Sequence, residues 1–285
     1  MSVFQHYTTK KPAEFTRLVG VNYAAFNIIL QKLETEITRY KDAKPARKRG
    51  LKTSSLTLAD QLLLTLLYLR NYHTFLQLGD MFGISEGYAC KRYAFITQRL
   101  TRALALPNDK ELTLDKLTLV ADVTEQEIER PRTKQKSYYS GKKKRHTIKT
   151  LLIICYLTGL IKAVRCRRGT VHDFKILTES NLKINAGACI KADKGFQGLQ
   201  KLYEKAEIPF KATKNHPLSK EQKQHNRQLA KERILIEHIN RECKIFRICK
   251  EQYRGKHKNY EKTWKLVSAI VNLKRSTRHL KYATL

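Results

Sequence analysis

The sequence is poor in acid. Its 285 residues hold 25 Asp and Glu against 57 Lys and Arg, a formal charge of +32. That excess repels itself in the compact state unless a polyanion neutralises it, which makes nucleic acid the first partner to consider. Also missing is any run of about 18 apolar residues. The longest, around Leu151 to Leu157, has strand length, and no basic amphipathic segment carries a Trp-rich flank. A membrane partner is therefore not expected. The opening residues MSVFQHYTTKKPAEFTRLVG lack both the apolar core and the small-residue cleavage site of a secretory leader, so a cytoplasmic, nucleoid-associated location is expected. Six cysteines form no CxxC pair, and no His lies beside them at zinc spacing. They read as reduced thiols. No internal repeat or low-complexity segment stands out.

What is present suffices for a sizeable core: 41% of residues are hydrophobic, and the length fits one large domain or two ordinary ones. Helical periodicity runs through Phe15, Leu18, Val19, Tyr23, Phe26, Ile29, Leu30 and Leu33 and ends in RYKDAKPARKRGLK, a basic stretch with Pro and Gly that reads as a linker. A first segment, 1–49, is set off there. Region 50–112 follows with three compact helical patterns: LTLADQLLLTLLYLR with Thr57 as N-cap, TFLQLGDMFG stopped by Gly83, and SEGYACKRYAFITQRL capped by Ser85. Gly83-Ile84-Ser85 is a turn of the kind a helix-turn-helix needs. Its third helix would present Glu86, Tyr88, Lys91 and Arg92 near its start, where a recognition helix meets bases and phosphates. The plainer alternative is a three-helix bundle with a basic outer face; the net charge favours DNA reading.

Region 113–285 changes period. LTLVADV (117–123) and ACIKAD (188–193) are short β-rich runs, each ending in Asp, and HTIKTLLIICYLTGLIKAVRC (146–166) reads as two strands hinged at Thr158-Gly159. Helices are expected after His172, after Gly195, and through RILIEHINRECKIFRI (233–248), with 211–230 as an exposed loop leading to the last of these. Trp264 should pack a terminal amphipathic helix onto the core. Strands alternating with helices indicate a mixed α/β sheet with helices packed on it.

Asp122 and Asp193 each close an apolar run, and the carboxyl ends of strands border the ligand crevice of α/β sheets. Each has a bland alternative, since Asp commonly starts a turn or caps a helix. Glu237 lies in a cationic helix, on the face shared by Arg233, Asn240 and Lys244, while Glu242 falls on the far side. Salt bridges to Arg233 and Arg241 would explain it, each worth about 0.2–0.5 kcal/mol. Three carboxylates together have another use. Phosphodiester hydrolysis needs charge neutralisation and an activated water, which two Mg²⁺ ions about 3.5–4 Å apart supply when hard oxygen ligands hold them. Neighbouring Lys and Arg would then grip flanking phosphates. Pro131 to Thr150 holds eight Lys or Arg and no acid, with Lys142, Lys143, Lys144 and Arg145 in succession. That strip is either a solvated hairpin or a phosphate-tracking surface.

DVTEQEIERP, YYSGKKKRHTIK, GTVHDFKIL, ADKGFQG and RILIEHINRECKIFRI, in that order, closely resemble bacterial insertion-sequence transposases of the DDE superfamily, specifically the fifth insertion-sequence family, related to Harbinger-type nucleases. The resemblance spans roughly Leu51 to the C-terminus. It implies a ribonuclease-H-like domain, cleavage at terminal inverted repeats with two Mg²⁺ ions (Mn²⁺ as substitute), strand transfer by the freed 3′-hydroxyl, and at least a dimer on double-stranded DNA. It places the catalytic, metal-holding residues on Asp122, Asp193 and Glu237. Arg233, four residues before the Glu, and Lys244, seven after, match the family signature; its Tyr is replaced by Ala230. His172-Asp173 also matches a family block outside the triad, and Asp173 reads as a helix cap or as a group behind the site. A DNA-binding descendant without catalysis, or a nuclease that cuts without joining, are the rival readings.

Overall fold

The computed structural model describes residues 2–43, 55–106, 117–185, 187–213 and 216–277. The basic linker and the expected boundaries near 49 and 112 lie largely outside the described residues. The chain divides into two compact units, one drawn from Met1–Ala105, Ile245–Ile248 and Ala269–Leu285, the other from Leu106–Lys244 and Cys249–Ser268.

The first unit is all helical. Helices α1 (Val3–Thr8), α2 (Pro12–Val19) and α3 (Tyr23–Asp42) precede α4 (Leu58–Asn71), α5 (Phe75–Phe82) and α6 (Glu86–Ala103). Their starts are written in the caps: Thr57 and Thr74 each form a reciprocal box with the residue three further on, and the Ser85 hydroxyl accepts from Tyr88 N–H. Phe15, Phe26, Ile29, Leu33 and the Leu62–Leu64 run supply fully buried side chains. Between α5 and α6 the chain turns at Gly83, with φ +61°, a left-handed conformation that suits glycine. Gly79 matters for a different reason: a Cβ there would stand 2.7 Å from the Ile84 carbonyl oxygen, so the turn can fold back onto α5 only over a bare backbone.

The second unit is a mixed sheet with helices. Strands β1 (Thr118–Glu127), β2 (Tyr139–Ser140), β3 (Arg145–Cys155), β4 (Ile161–Arg168) and β5 (Cys189–Lys191) are joined by α7 (Asp173–Thr178) and followed by α8 (Lys220–Ile245) and α9 (Tyr260–Ser276), of which Ile245 and the residues from Ala269 on count with the first unit. β3 lies between β4 and β1, antiparallel to both, β5 runs parallel to β1, and β2 pairs with the start of β3. This is the expected mixed α/β sheet, following the helix-turn-helix region along the chain. The period of two sorts its faces. Leu119, Ala121, Leu151 and Ile153 point into a core with Ile176, Leu177, Phe196 and Leu199. On the alternate positions of β1 lie Asp122, Thr124 and Gln126. There the buried Gln126 amide oxygen accepts from Tyr260 Oη (2.8 Å) and Trp264 Nε1 (3.1 Å), while its nitrogen donates to the Glu251 carbonyl (2.7 Å). Trp264 therefore does pack the terminal helix, held by a polar hook inside the core.

Three expectations need correction. β1 runs on to Glu127, so Asp122 sits mid-strand: the apolar run ends at Val123, but the strand continues because the buried polar side chains of Thr124 and Gln126 belong to the interior. The stretch directly after Gly195, 196–206, forms no α-helix. Two single 3-10 turns, Lys194–Phe196 and Leu199–Lys201, are parted by Gly198 at φ +97°, which a right-handed helix does not tolerate. And α8 begins at Lys220, so the later part of the stretch read as loop is helical.

Candidate active site

Each carboxylate of interest comes from a different element. β1 carries Asp122, and its side chain is 17% exposed. Asp193 stands two residues past β5, where its Oδ1 accepts from Gly195 N–H at 2.9 Å; the turn reading and the strand-end reading are both realised in the one residue. α8 carries Glu237 on its exposed side. Asp122 feels the other two. Burial is the main force pushing its carboxyl up from 3.8 to about 6, Arg233 opposes, the like charges of Asp193 and Glu237 add to the rise, and Val123 N–H pulls it back down. The three acids thus share one electrostatic neighbourhood, although among the described residues no three His, Cys, Asp or Glu side chains close on a single point as a bound ion would require.

Arg233 does not lie along α8 toward Glu237. Its Nη2 faces Asp122 Oδ1 at 3.5 Å, with both side chains largely shielded (14% and 17% exposed). Lys244 is half-buried; desolvation lowers its pKa, Asp122 raises it, and Lys143 lowers it further. The hairpin strip and the end of α8 therefore face one another electrostatically through Lys143 and Lys244. Residues 141–145 are all exposed at the tip between β2 and β3, where Lys144 N–H donates to the Ser140 carbonyl at 2.8 Å; Arg145 pairs with Glu127 at 3.1 Å. Arg241 is exposed. Asn240, expected on the open face of α8, is buried, at 9% exposure.

Spacing between β5 and α8 is set by Lys191, only 12% exposed, which pairs with Glu232 on α8 and with Glu207 at 3.5 Å. Lys191 precedes Asp193 by two residues and Glu232 adjoins Arg233, so this tether sits directly behind the site. In the first unit, Lys91 projects from α6, whereas the Arg92 guanidinium lies over the rings of Tyr88 (5.1 Å) and Phe95 (5.2 Å). Arg92 and Tyr88 are thus partly committed to each other.

Sequence reasoning left Asp173 between two roles. His172 is the N-cap of α7 and makes no side-chain cap bond, so Asp173 is the first helical residue and not the cap. Its Oδ1 instead accepts from Lys149 Nζ at 2.9 Å, and the same ammonium donates to the Val171 carbonyl at 2.9 Å. Lys149 was visible only as one more cation in the basic strip; its parity on β3, which turns it toward α7, was the available signal.

A helical segment with a helix-turn-helix, followed along the chain by a mixed sheet with flanking helices, joins a DNA-reading module to an α/β domain. Residues 121–272 match the family model described as DDE superfamily endonuclease, and residues 54–104 match the helix-turn-helix of DDE superfamily endonuclease. The chain belongs to the DDE superfamily endonucleases, and within them to the insertion-sequence transposases. It is 36% identical over 264 residues to the probable transposase for insertion sequence element IS702 of Microchaete diplosiphon, covering 91% of this chain and 93% of that protein. No solved structure matches it. Among the described residues no helix is long and apolar enough to cross a membrane.

Proposed function

We propose that the protein binds the terminal inverted repeats of its insertion sequence, hydrolyses the phosphodiester at the ends with two Mg²⁺ ions, and joins the 3′-hydroxyl to target DNA. What supports this reading is the shielded Asp122, 3.5 Å from Arg233, whose carboxyl feels the charges of both Asp193 and Glu237, while Lys244 feels Asp122 and Lys143. The donor set fits hard divalent cations, because it offers only carboxylate oxygens whose mutual repulsion a cation relieves. Ions held by Asp122, Asp193 and Glu237 would supply charge neutralisation and an activated water.

The protein's own residues do the rest. Arg233 balances Asp122 in the metal-free protein and turns to a phosphate when that carboxylate is otherwise engaged. Lys244 and Lys143 hold the strand flanking the scissile bond, and the exposed Lys142, Lys144 and Arg145 extend the grip along the backbone. In the first unit, α6 reads the end sequence from the side that shows Lys91. Two copies, each holding one end, would form the synaptic complex in the bacterial cytoplasm, at the nucleoid. The test is cleavage of a labelled terminal-repeat duplex in Mg²⁺ or Mn²⁺ by the wild type and by Asp122→Asn, Asp193→Asn and Glu237→Gln. Binding survives all three changes while cleavage is lost; a variant that cuts normally removes its residue from the set. Recovery of joined product separates transposition from cutting alone.

A further inference from the structure

Behind Asp193 lies a charge pair that the reading above leaves unused. A Cβ added to Gly195 would lie 2.9 Å from Asp173 Oδ2 and 3.0 Å from Asp193 Oδ1, so both carboxylates stand against the same backbone carbon. The N–H of that glycine is the one that holds Asp193 Oδ1. Phe174, next along α7, closes on the same turn, its ring 3.3 Å from a Cβ placed on Gly198. Asp173 and Lys149 are only 28% and 18% exposed, so solvent screens their charges weakly. Two acids thus stand against one glycine, and the Lys149 ammonium beside Asp173 is engaged by Asp173 and by the Val171 carbonyl.

We propose that Asp173 is a positioning residue that sequesters the Lys149 ammonium and so keeps it from pairing with Asp193, whose carboxylate stays available to a divalent cation. The pair carries no net charge, so at the Asp193 turn it acts as a dipole, more weakly than either charge would alone. Removing one member unbalances it, and the sign depends on which is removed. Without the Asp173 charge, Lys149 is free to neutralise Asp193 and compete with a cation. Without the Lys149 charge, Asp173 adds its negative charge to that of Asp193 and favours one. A purely steric buttress has no such asymmetry, since losing either partner would loosen the turn.

The inference rests on the metal-binding reading of Asp193, and the experiment keeps the two apart. Mn²⁺ is titrated into the full-length, DNA-free protein, with free Mn²⁺ read by electron paramagnetic resonance and folding followed by thermal melting. Asp173→Asn weakens Mn²⁺ binding roughly tenfold, as loss of a group behind a metal ligand commonly does. Lys149→Met binds Mn²⁺ more tightly than the wild type, and the double variant returns to within about threefold of wild type, a non-additivity expected of contacting charges. If the wild type binds Mn²⁺ no better than an Asp122→Asn/Asp193→Asn control, the metal-binding reading fails and takes this proposal with it. If the wild type binds but Asp173→Asn matches it, or Lys149→Met weakens binding as Asp173→Asn does, the sequestration alone is wrong. Should Asp173→Asn fold poorly, the sign of the Lys149→Met effect still decides.

Discussion

Asp122→Asn should make the metal-free protein more stable while abolishing cleavage. In the fold the Asp122 carboxyl is moved from 3.8 to about 6, chiefly by burial, with Asp193 and Glu237 adding to the rise. A difference of about two pH units, at about 1.36 kcal/mol each, means that ionised Asp122 costs the folded state about 3 kcal/mol. Since the folded value is the higher one, the favourable contribution is fully present below pH 3.8 and is lost as pH rises through about 6. Asparagine has nearly the same shape and no charge to desolvate. It also leaves Arg233 without its 3.5 Å partner, which takes back part of the gain. A net stabilisation of roughly 1–2 kcal/mol above pH 7 remains, on the order of 2–8 °C in melting temperature for a unit of this size. The assay is thermal melting of both proteins in EDTA from pH 4.5 to 8.5, read as the difference between them. That difference should be small at the acid end, grow through pH 6 and level off above 7. Added Mg²⁺ should raise the melting temperature of the wild type and leave that of the variant unchanged. A variant less stable than the wild type at pH 8, or a difference flat across the range, would refute the claim that Asp122 is held in an unfavourable charged state.

Three further outcomes can be measured. Gln126→Leu removes the acceptor of the Tyr260 hydroxyl and the Trp264 indole N–H and the donor to the Glu251 carbonyl, and should cost about 2–4 kcal/mol in urea melts; a loss under 1 kcal/mol would mean that other partners or water replace the amide. Neutralising Lys142, Lys143, Lys144 and Arg145 together should weaken binding to any duplex and lower the slope of log K against log salt by up to about 3.6, whereas an unchanged slope returns the hairpin to a solvated role. Lys91→Ala should reduce binding to the terminal repeat with no change in melting temperature, while Arg92→Ala, which removes the cation lying over Tyr88 and Phe95, should lower the melting temperature; the reverse pattern would exchange their roles.

Local signals make much of the fold legible in the sequence. Thr57 and Ser85 announce their helices because a capping oxygen three residues ahead of a backbone N–H is a sequence-local arrangement, and Thr158-Gly159 marks the β3–β4 turn because Gly159 takes φ +63°. The family itself was readable from five ordered blocks. Illegible were features settled by distant partners. The length of β1 depends on Gln126 finding Tyr260 and Trp264 over 130 residues away. Arg233 looks like an i,i+4 partner of Glu237 until β1 brings Asp122 alongside. The missing helix after Gly195 reflects tertiary packing too, for Phe196 and Leu199 are both fully buried at a spacing that a helix would also have allowed.

Ionic strength acts on two sorts of charge in this molecule. The Lys191 side chain that tethers Glu232 and Glu207 is 12% exposed, so salt screens it poorly, whereas the hairpin cations at 142–145 are open to solvent. A rise in salt should therefore strip DNA from the surface long before it loosens the spacing between β5 and α8. Release of bound DNA and integrity of the site are separable, so a protein washed free of nucleic acid at high salt should recover full competence on dilution without refolding.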